Sequence, residues 1–346
     1  MSVSLLPPAP ARQTVRRLAL APGWLACGLL VVVFAFDPAV PRWLQYLPLV
    51  ASTVLVGLPH GAIDHLVPGR LDGAGPTARS LATVGLLYAV LGGLYAGAWF
   101  VAPAACFATF ILLTLAHWGQ GDVHALVALA GGDHLRTRPQ RLLAAIVRGC
   151  FPMLVPLVAF PAAYERVARA LVAPFAGAIG PLAVAFTPTA RAVVAGGVAT
   201  LVAVHLAVGY LRRADGAGWR RDAGETLLLA AYFATVPPIL AVGLYFCLWH
   251  ALRHVVRLAL LDPPAVDALV AGDPWAALGR FGRQAAPLTA ASLALLGGLY
   301  VAVPQPPTDV AGFVGLYLVL IAALTLPHVV VVAWMDRAQG LWSPAV

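Results

Sequence analysis

Five histidines sit inside hydrophobic stretches of this chain, in four motifs: Gly57-Leu-Pro-His60-Gly-Ala-Ile-Asp64, His117-Trp-Gly-Gln-Gly-Asp122, Trp249-His250-Ala-Leu-Arg253-His254 and Leu326-Pro-His328. Imidazole is the commonest metal ligand, and ionisable groups within a membrane usually mark a functional site. His250 and His254, four residues apart, project from one helix face about a turn apart, which suits two ligands on one metal. Pro59 predicts a kink that aims His60 into the bundle. His117 opens a motif whose glycines permit close helix approach. Asp64 and Asp122 are expected to orient ligands rather than to bind the metal themselves. His328 repeats the Pro-His arrangement and ranks below His60, His117, His250 and His254, as a further polar group near the site or a supporting residue.

Neutral imidazoles add no negative charge, and they suit Fe, Cu, Zn and Ni. Four of them on an octahedral Fe(II) leave two positions open, whereas zinc with four ligands is more often closed. An open iron site surrounded by lipid points to oxidation of a lipid-soluble molecule. Trp118, Tyr245, Phe246 and Trp249 lie within a turn or so of the expected ligands, and some of them are expected to line an apolar tunnel.

The other polar residues invite simpler readings. His65 and His124 are expected to bond locally, His134 to be solvated in an arginine-rich loop, and His205 to be a satisfied core histidine. Glu225 reads as a helix-start carboxylate facing water. Cys27, Cys106, Cys150 and Cys247 have no CxxC spacing and read as small buried hydrophobes.

The elements that must position these residues are transmembrane helices. Of the 346 residues, 61% are hydrophobic and 10% charged, against about 25% charged in ordinary domains. Apolar runs near 20 residues predict an all-α, polytopic transmembrane bundle, and the short alternating segments of a β-barrel are missing. Ten spans are expected: Arg17–Phe36, Leu44–Leu66, Ser80–Val101, Ala104–Leu129, Leu142–Phe160, Arg191–Leu211, Ala223–Pro237, Ile239–Leu261, Gln284–Val303 and Val310–Met335. The stretch Tyr164–Phe186, with Glu165, Arg166, Arg169 and several prolines, reads as an interfacial segment rather than a span. Residues 1–16 are expected to form a mobile tail, 17–337 one transmembrane domain, and 338–346 a short C-terminal tail.

The net charge of +8 comes from arginine alone, with no lysine in the chain. These arginines fall mostly between the apolar runs, as the positive-inside rule requires with both termini in the cytoplasm, so no nucleic-acid partner is implied. The missing lysine excludes a rhodopsin-type photoreceptor, which needs an amine to form a Schiff base. With this topology the second, fourth, eighth and tenth spans run from outside to inside, and their five histidines reach one layer of the bilayer.

The four motifs, read as GLPHGAIDH, HWGQGD, WHALRH and LTLPH, resemble in order those of the Brp/Blh family of integral-membrane β-carotene 15,15′-dioxygenases, over residues 45 to 337. The resemblance implies central cleavage of β-carotene by O₂ into two molecules of retinal, with a non-haem Fe(II) held by His60, His117, His250 and His254. It also implies a multi-pass inner-membrane location, with lipid around the bundle and a rhodopsin as a conceivable acceptor of the retinal. Ring-substituted carotenoids or apocarotenals would fit a similar tunnel. Two other readings compete. A membrane desaturase or hydroxylase would carry about eight histidines in HxxxH and HxxHH clusters, where this chain has one HxxxH and no HxxHH. A divalent-metal transporter would carry carboxylates along a path and an internal repeat.

Overall fold

In a computed structural model, residues 4–343 are described except 74, 76, 214 and 215. Every regular element among them is helical. In chain order these are α1 (Arg12–Phe34), α2 (Arg42–Ser52), α3 (Pro59–Ala62), α4 (Val67–Leu71), α5 (Ala78–Leu87), α6 (Gly93–Val101), α7 (Pro103–Ala128) and α8 (Arg138–Ala159). They continue with α9 (Pro161–Val172), α10 (Pro188–Arg212), α11 (Ala217–Thr235), α12 (Pro238–Tyr245), α13 (Leu252–Ala259), α14 (Pro263–Val270), α15 (Pro274–Ala302) and α16 (Val310–Ala338). Two π-helical turns, Tyr88–Gly92 and Phe246–Ala251, join α5 to α6 and α12 to α13 as continuous rods.

Seven helical stretches are long and apolar enough to cross a membrane: Ala9–Phe34, Ala78–Val101, Arg138–Ala159, Pro188–Arg212, Pro238–Ala259, Pro274–Ala302 and Val310–Ala338. These coincide with seven of the ten expected spans. The other three are not among these long apolar stretches, for identifiable reasons. The run 44–66 is not one helix but breaks after Ser52, where the chain folds back so that the Leu58 amide donates to the Ser52 carbonyl at 2.8 Å. Gly57 permits this turn, since a Cβ there would lie 2.5 Å from that of Ser52. Helix α7 is continuous for 26 residues, but its second half carries the polar motif His117–Asp122. Helix α11 is 19 residues long, with Arg220, Arg221, Asp222 and Glu225 in its first half.

The described ends of the chain are docked against the bundle. Ala11 and Val15, expected in a mobile tail, are fully buried against Ala125 and Ala128 of α7 and Leu252 of α13. At the other end, the Trp342 indole donates to Asp336 at 2.8 Å, and Arg141 donates to the carbonyls of Leu341 and Ser343. Residues 1–3 and 344–346 of the two expected tails lie outside the described residues.

Helices α7 and α8 cross at zero clearance. A Cβ on Gly119 would lie 1.9 Å from the Ala145 carbonyl oxygen, and one on Gly149 would lie 2.0 Å from that of Leu115. Close approach through small residues is how helices associate where lipid provides no hydrophobic drive. It fixes the height and rotation of α7, and with them the position of His117.

Candidate metal centre

Five imidazoles from four parts of the chain meet at the centre of the bundle. His60 rides on the short α3, where its Nδ1 bonds the Gly57 carbonyl left free by the broken helix. His117 comes from α7, His250 from the π-turn Phe246–Ala251, His254 from α13 and His328 from α16. All five are buried. The His60 ring meets three others edge to face, with centroids 5.5 Å from His250, 5.6 Å from His254 and 4.9 Å from His328. The His117 ring lies 4.8 Å from both His250 and His328, and His254 lies 5.1 Å from His328.

The nitrogen positions are more telling than the rings. His117 Nε2 and His250 Nε2 are 3.1 Å apart. Ligand atoms of His60, His117 and His328 lie within 4.8 Å of one another, and so do those of Asp64, His254 and His328. His328, ranked below the other four on sequence, is thus common to both groups. Nε2 of His254 and Nε2 of His328 are buried without a hydrogen-bond partner among the described residues. Leaving such atoms unpaired costs about 1–3 kcal/mol each, and a cation accepting their lone pairs removes that cost. A cluster of neutral nitrogen donors with unpaired, inward-facing members fits a divalent transition metal.

The expected α-helical pairing of His250 and His254 is modified by the π-turn. One extra residue in that turn re-aims His250 towards His117, while His254 stays beneath His60. Such bulges recur at functional sites. The other π-turn begins with Tyr88, whose hydroxyl donates to Asp64 Oδ2 at 2.6 Å, and His328 Nδ1 bonds the same oxygen at 2.7 Å. Asp64 therefore orients His328. Tyr88 escaped sequence reasoning because it stands in a plain apolar run, with no proline, glycine motif or charge beside it.

Asp122 does not touch a histidine. Its Oδ1 accepts from the Trp249 indole at 2.8 Å and from Arg253 at 3.0 Å. Arg253 also bonds Glu225 at 2.8 Å, and Arg148 bridges Glu225 at 3.1 Å to Asp222 at 2.7 Å. Glu225, expected to face water, is buried in this network because α11 begins at Ala217, two turns earlier. His134, expected to be solvated, is also fully buried. Its loop turns at Gly131 and tucks the ring under α11, with Nε2 on Asp222 at 2.8 Å. His205 lies 2.9 Å from the same carboxylate oxygen, and His65 bonds the Ala62 carbonyl at 3.1 Å. His124 is buried, as are all four cysteines, each a free thiol.

The histidine cluster opens onto a cavity of about 1290 Å³, which it meets through His60, His117 and His328. Phe107, Phe110, Met153 and Leu320 contribute to a largely apolar wall. Trp118 and Phe246 line it with rings nearly parallel, 15° apart and 5.8 Å between centroids. Tyr245 and Trp249 do not reach the cavity. Tyr245 packs behind Trp118 at 5.1 Å, and Trp249 stacks on Tyr245 at 5.9 Å with its indole turned to Asp122. The expected tunnel lining therefore divides into two residues that face the space and two that back them.

Fold and site together define a helical protein of membrane type, with a buried histidine centre on the wall of a long apolar cavity. Residues 51–336 match the family model described as "Beta-carotene 15,15'-dioxygenase". The chain is 49% identical over 331 residues to "Probable beta-carotene 15,15'-dioxygenase Blh" of Halobacterium salinarum, covering 96% of each chain. It is 35% identical over 316 residues to "Probable beta-carotene 15,15'-dioxygenase Brp" of the same organism, covering 88% of this chain and 87% of that one. A shorter match, 31% over 75 residues, is to "Beta-carotene 15,15'-dioxygenase" of an uncultured marine bacterium, over 22% of this chain and 27% of that protein. No solved structure matches. The chain belongs to the β-carotene 15,15′-dioxygenase family.

Proposed function

We propose that this protein cleaves β-carotene at its central double bond with O₂, giving two molecules of retinal, and that its metal is a single Fe(II) held by His60, His117, His250 and His254. The observation that carries this reading is the histidine cluster set in the wall of an apolar cavity of about 1290 Å³. An Fe(II) bound there would supply the activation of O₂ that a hydrocarbon double bond otherwise resists.

The chain's own residues perform the rest. Trp118 and Phe246 offer parallel flat faces against which a conjugated chain packs without exposing polar groups. The apolar walls keep water from the reacting centre, which strengthens every electrostatic contact inside it. Behind the site, the Asp122–Arg253–Glu225 bonds hold the backbone that presents His250 and His254.

A metal transporter needs free carboxylates along a path. Here Asp122, Asp222 and Glu225 are all engaged by Arg148 or Arg253, which disfavours that reading. The desaturase reading is disfavoured because the cluster among the described residues gathers five histidines, where that class would bring about eight to its site. We place the protein in the inner (plasma) membrane with both termini cytoplasmic and lipid around the bundle, where a rhodopsin could receive the retinal.

Expression in a β-carotene-producing bacterium tests the activity directly. Retinal should accumulate with iron present and fall to background with a membrane-permeant iron chelator. Unchanged carotene in iron-replete cells containing the folded protein would sink the proposal.

A further inference from the structure

We propose that Tyr88 and Asp64 are positioning residues that present His328 to the metal as a fifth imidazole ligand. This rests on the reading of the cluster as a metal centre. Asp64 Oδ2 takes two hydrogen bonds, from the Tyr88 hydroxyl at 2.6 Å and from His328 Nδ1 at 2.7 Å. A carboxylate only accepts, so the shared bond places the His328 proton on Nδ1 and leaves Nε2 with a free lone pair. That Nε2 is buried and has no partner among the described residues. The His328 ring lies 4.9 Å from His60, 4.8 Å from His117 and 5.1 Å from His254, and His328 is the residue shared by both groups of close-lying ligand atoms. His134 also keeps one unpaired nitrogen, but it stands apart from the cluster, whereas the His328 ring lies within 5.1 Å of three other imidazoles.

The relay joins three separate parts of the chain: the broken segment after α3, the π-turn Tyr88–Gly92, and α16. The negative charge of Asp64 makes the His328 lone pair a stronger donor, and the tyrosine stops the carboxylate from rotating away. Tyr88 lines the cavity, and its bond to the centre runs through Asp64. His328 is also one of the three cluster histidines that reach the cavity, so the relay sets the face of the centre that meets substrate.

The test uses the full-length protein in detergent, stripped of metal and titrated with Co(II) alone as the probe. Binding affinity and the visible absorption of bound Co(II), which responds to ligand number, are both read. The variants are Tyr88→Phe, Asp64→Asn and His328→Gln. Tyr95→Phe serves as a control, because it removes a tyrosine hydroxyl that bonds only Cys106 and Thr109 away from the centre. Tyr88→Phe and Asp64→Asn should each still bind one Co(II), about 10–100-fold more weakly, as losses of outer partners do. His328→Gln should change the absorption spectrum, and Tyr95→Phe should match the parent. Should His328→Gln fail to fold, Tyr88→Phe still carries the test, since it removes a single oxygen. Parent-like spectra and affinities in Tyr88→Phe and His328→Gln would overturn the proposal while leaving the metal centre intact. Failure of the parent itself to bind Co(II) would overturn the metal reading and the proposal with it.

Discussion

At the scale of the residue, a five-histidine cluster ties metal loading to individual side chains. Replacing His60, His117, His250 or His254 by alanine should lower metal affinity by more than about 100-fold, beyond the range typical of supporting groups. Metal analysis of each purified variant checks this, and full metal retention in His254→Ala would argue against its role as a ligand. Trp118→Ala and Phe246→Ala remove cavity wall and should alter product yield or carotenoid preference, measured by chromatography of extracts. Tyr245→Phe sits behind that wall and should leave preference unchanged. The histidines were legible in the sequence because each stands beside a proline, a glycine or another histidine in an otherwise apolar run. Tyr88, Glu225 and His134 were not legible. Their partners, Asp64, Arg253 and Asp222, come from other helices or loops, and nothing in local spacing announces such a pairing.

At the scale of the element, two devices hold the ligands in place: the glycine crossing of α7 with α8, and the ion pairs behind α13. Gly119→Ala drives a methyl into the Ala145 carbonyl only two residues from His117. It should cost about 1–3 kcal/mol by overpacking, and should lower metal content at temperatures where the protein remains folded. Asp122→Ala leaves Arg253 with one of its two carboxylate partners, and Arg148 loses a weaker contact. Breaking a buried pair in this way costs about 3–5 kcal/mol, so thermal unfolding in detergent should drop sharply even with the ligands intact. Helix positions were largely readable from apolar runs. The break after Ser52 and the two π-turns were not, because each depends on where one backbone hydrogen bond closes rather than on which residues are apolar.

At the scale of the whole molecule, both described ends meet. The Gln339 side chain reaches the Ser4 carbonyl at 3.5 Å, beside the bonds of Arg257 to Asp336. Seven crossings would leave the ends on opposite faces of a membrane, so the seven clearly apolar helices need an odd number of further passes. On the proposed ten-span path, the broken segment α2–α4, helix α7 and helix α11 would supply three. Arg70 at the end of the broken segment reaches Asp262 at 3.5 Å, while Arg42 at its start lines the cavity together with Tyr46 and Asp309. A reporter fused after Arg213 should therefore lie on the cytoplasmic side and one near Gln305 on the other. Both reporters on one side would refute this path. The arginine distribution suggested the arrangement because charge is counted along the chain. The same distribution gave no warning that one pass would be broken, since arginine marks where a segment ends and not how it is built.

The apolar cavity has a consequence for turnover. A polyene entering it from lipid gains little from leaving water, so its hold depends on many small dispersion contacts along its length. Cutting the chain in the middle divides those contacts between two fragments, each keeping about half, and the loss is exponential in affinity. The reaction thus loosens its own product, and no separate opening motion is needed to empty the site. Added retinal should inhibit weakly, and progress curves should stay linear until the carotene is largely consumed.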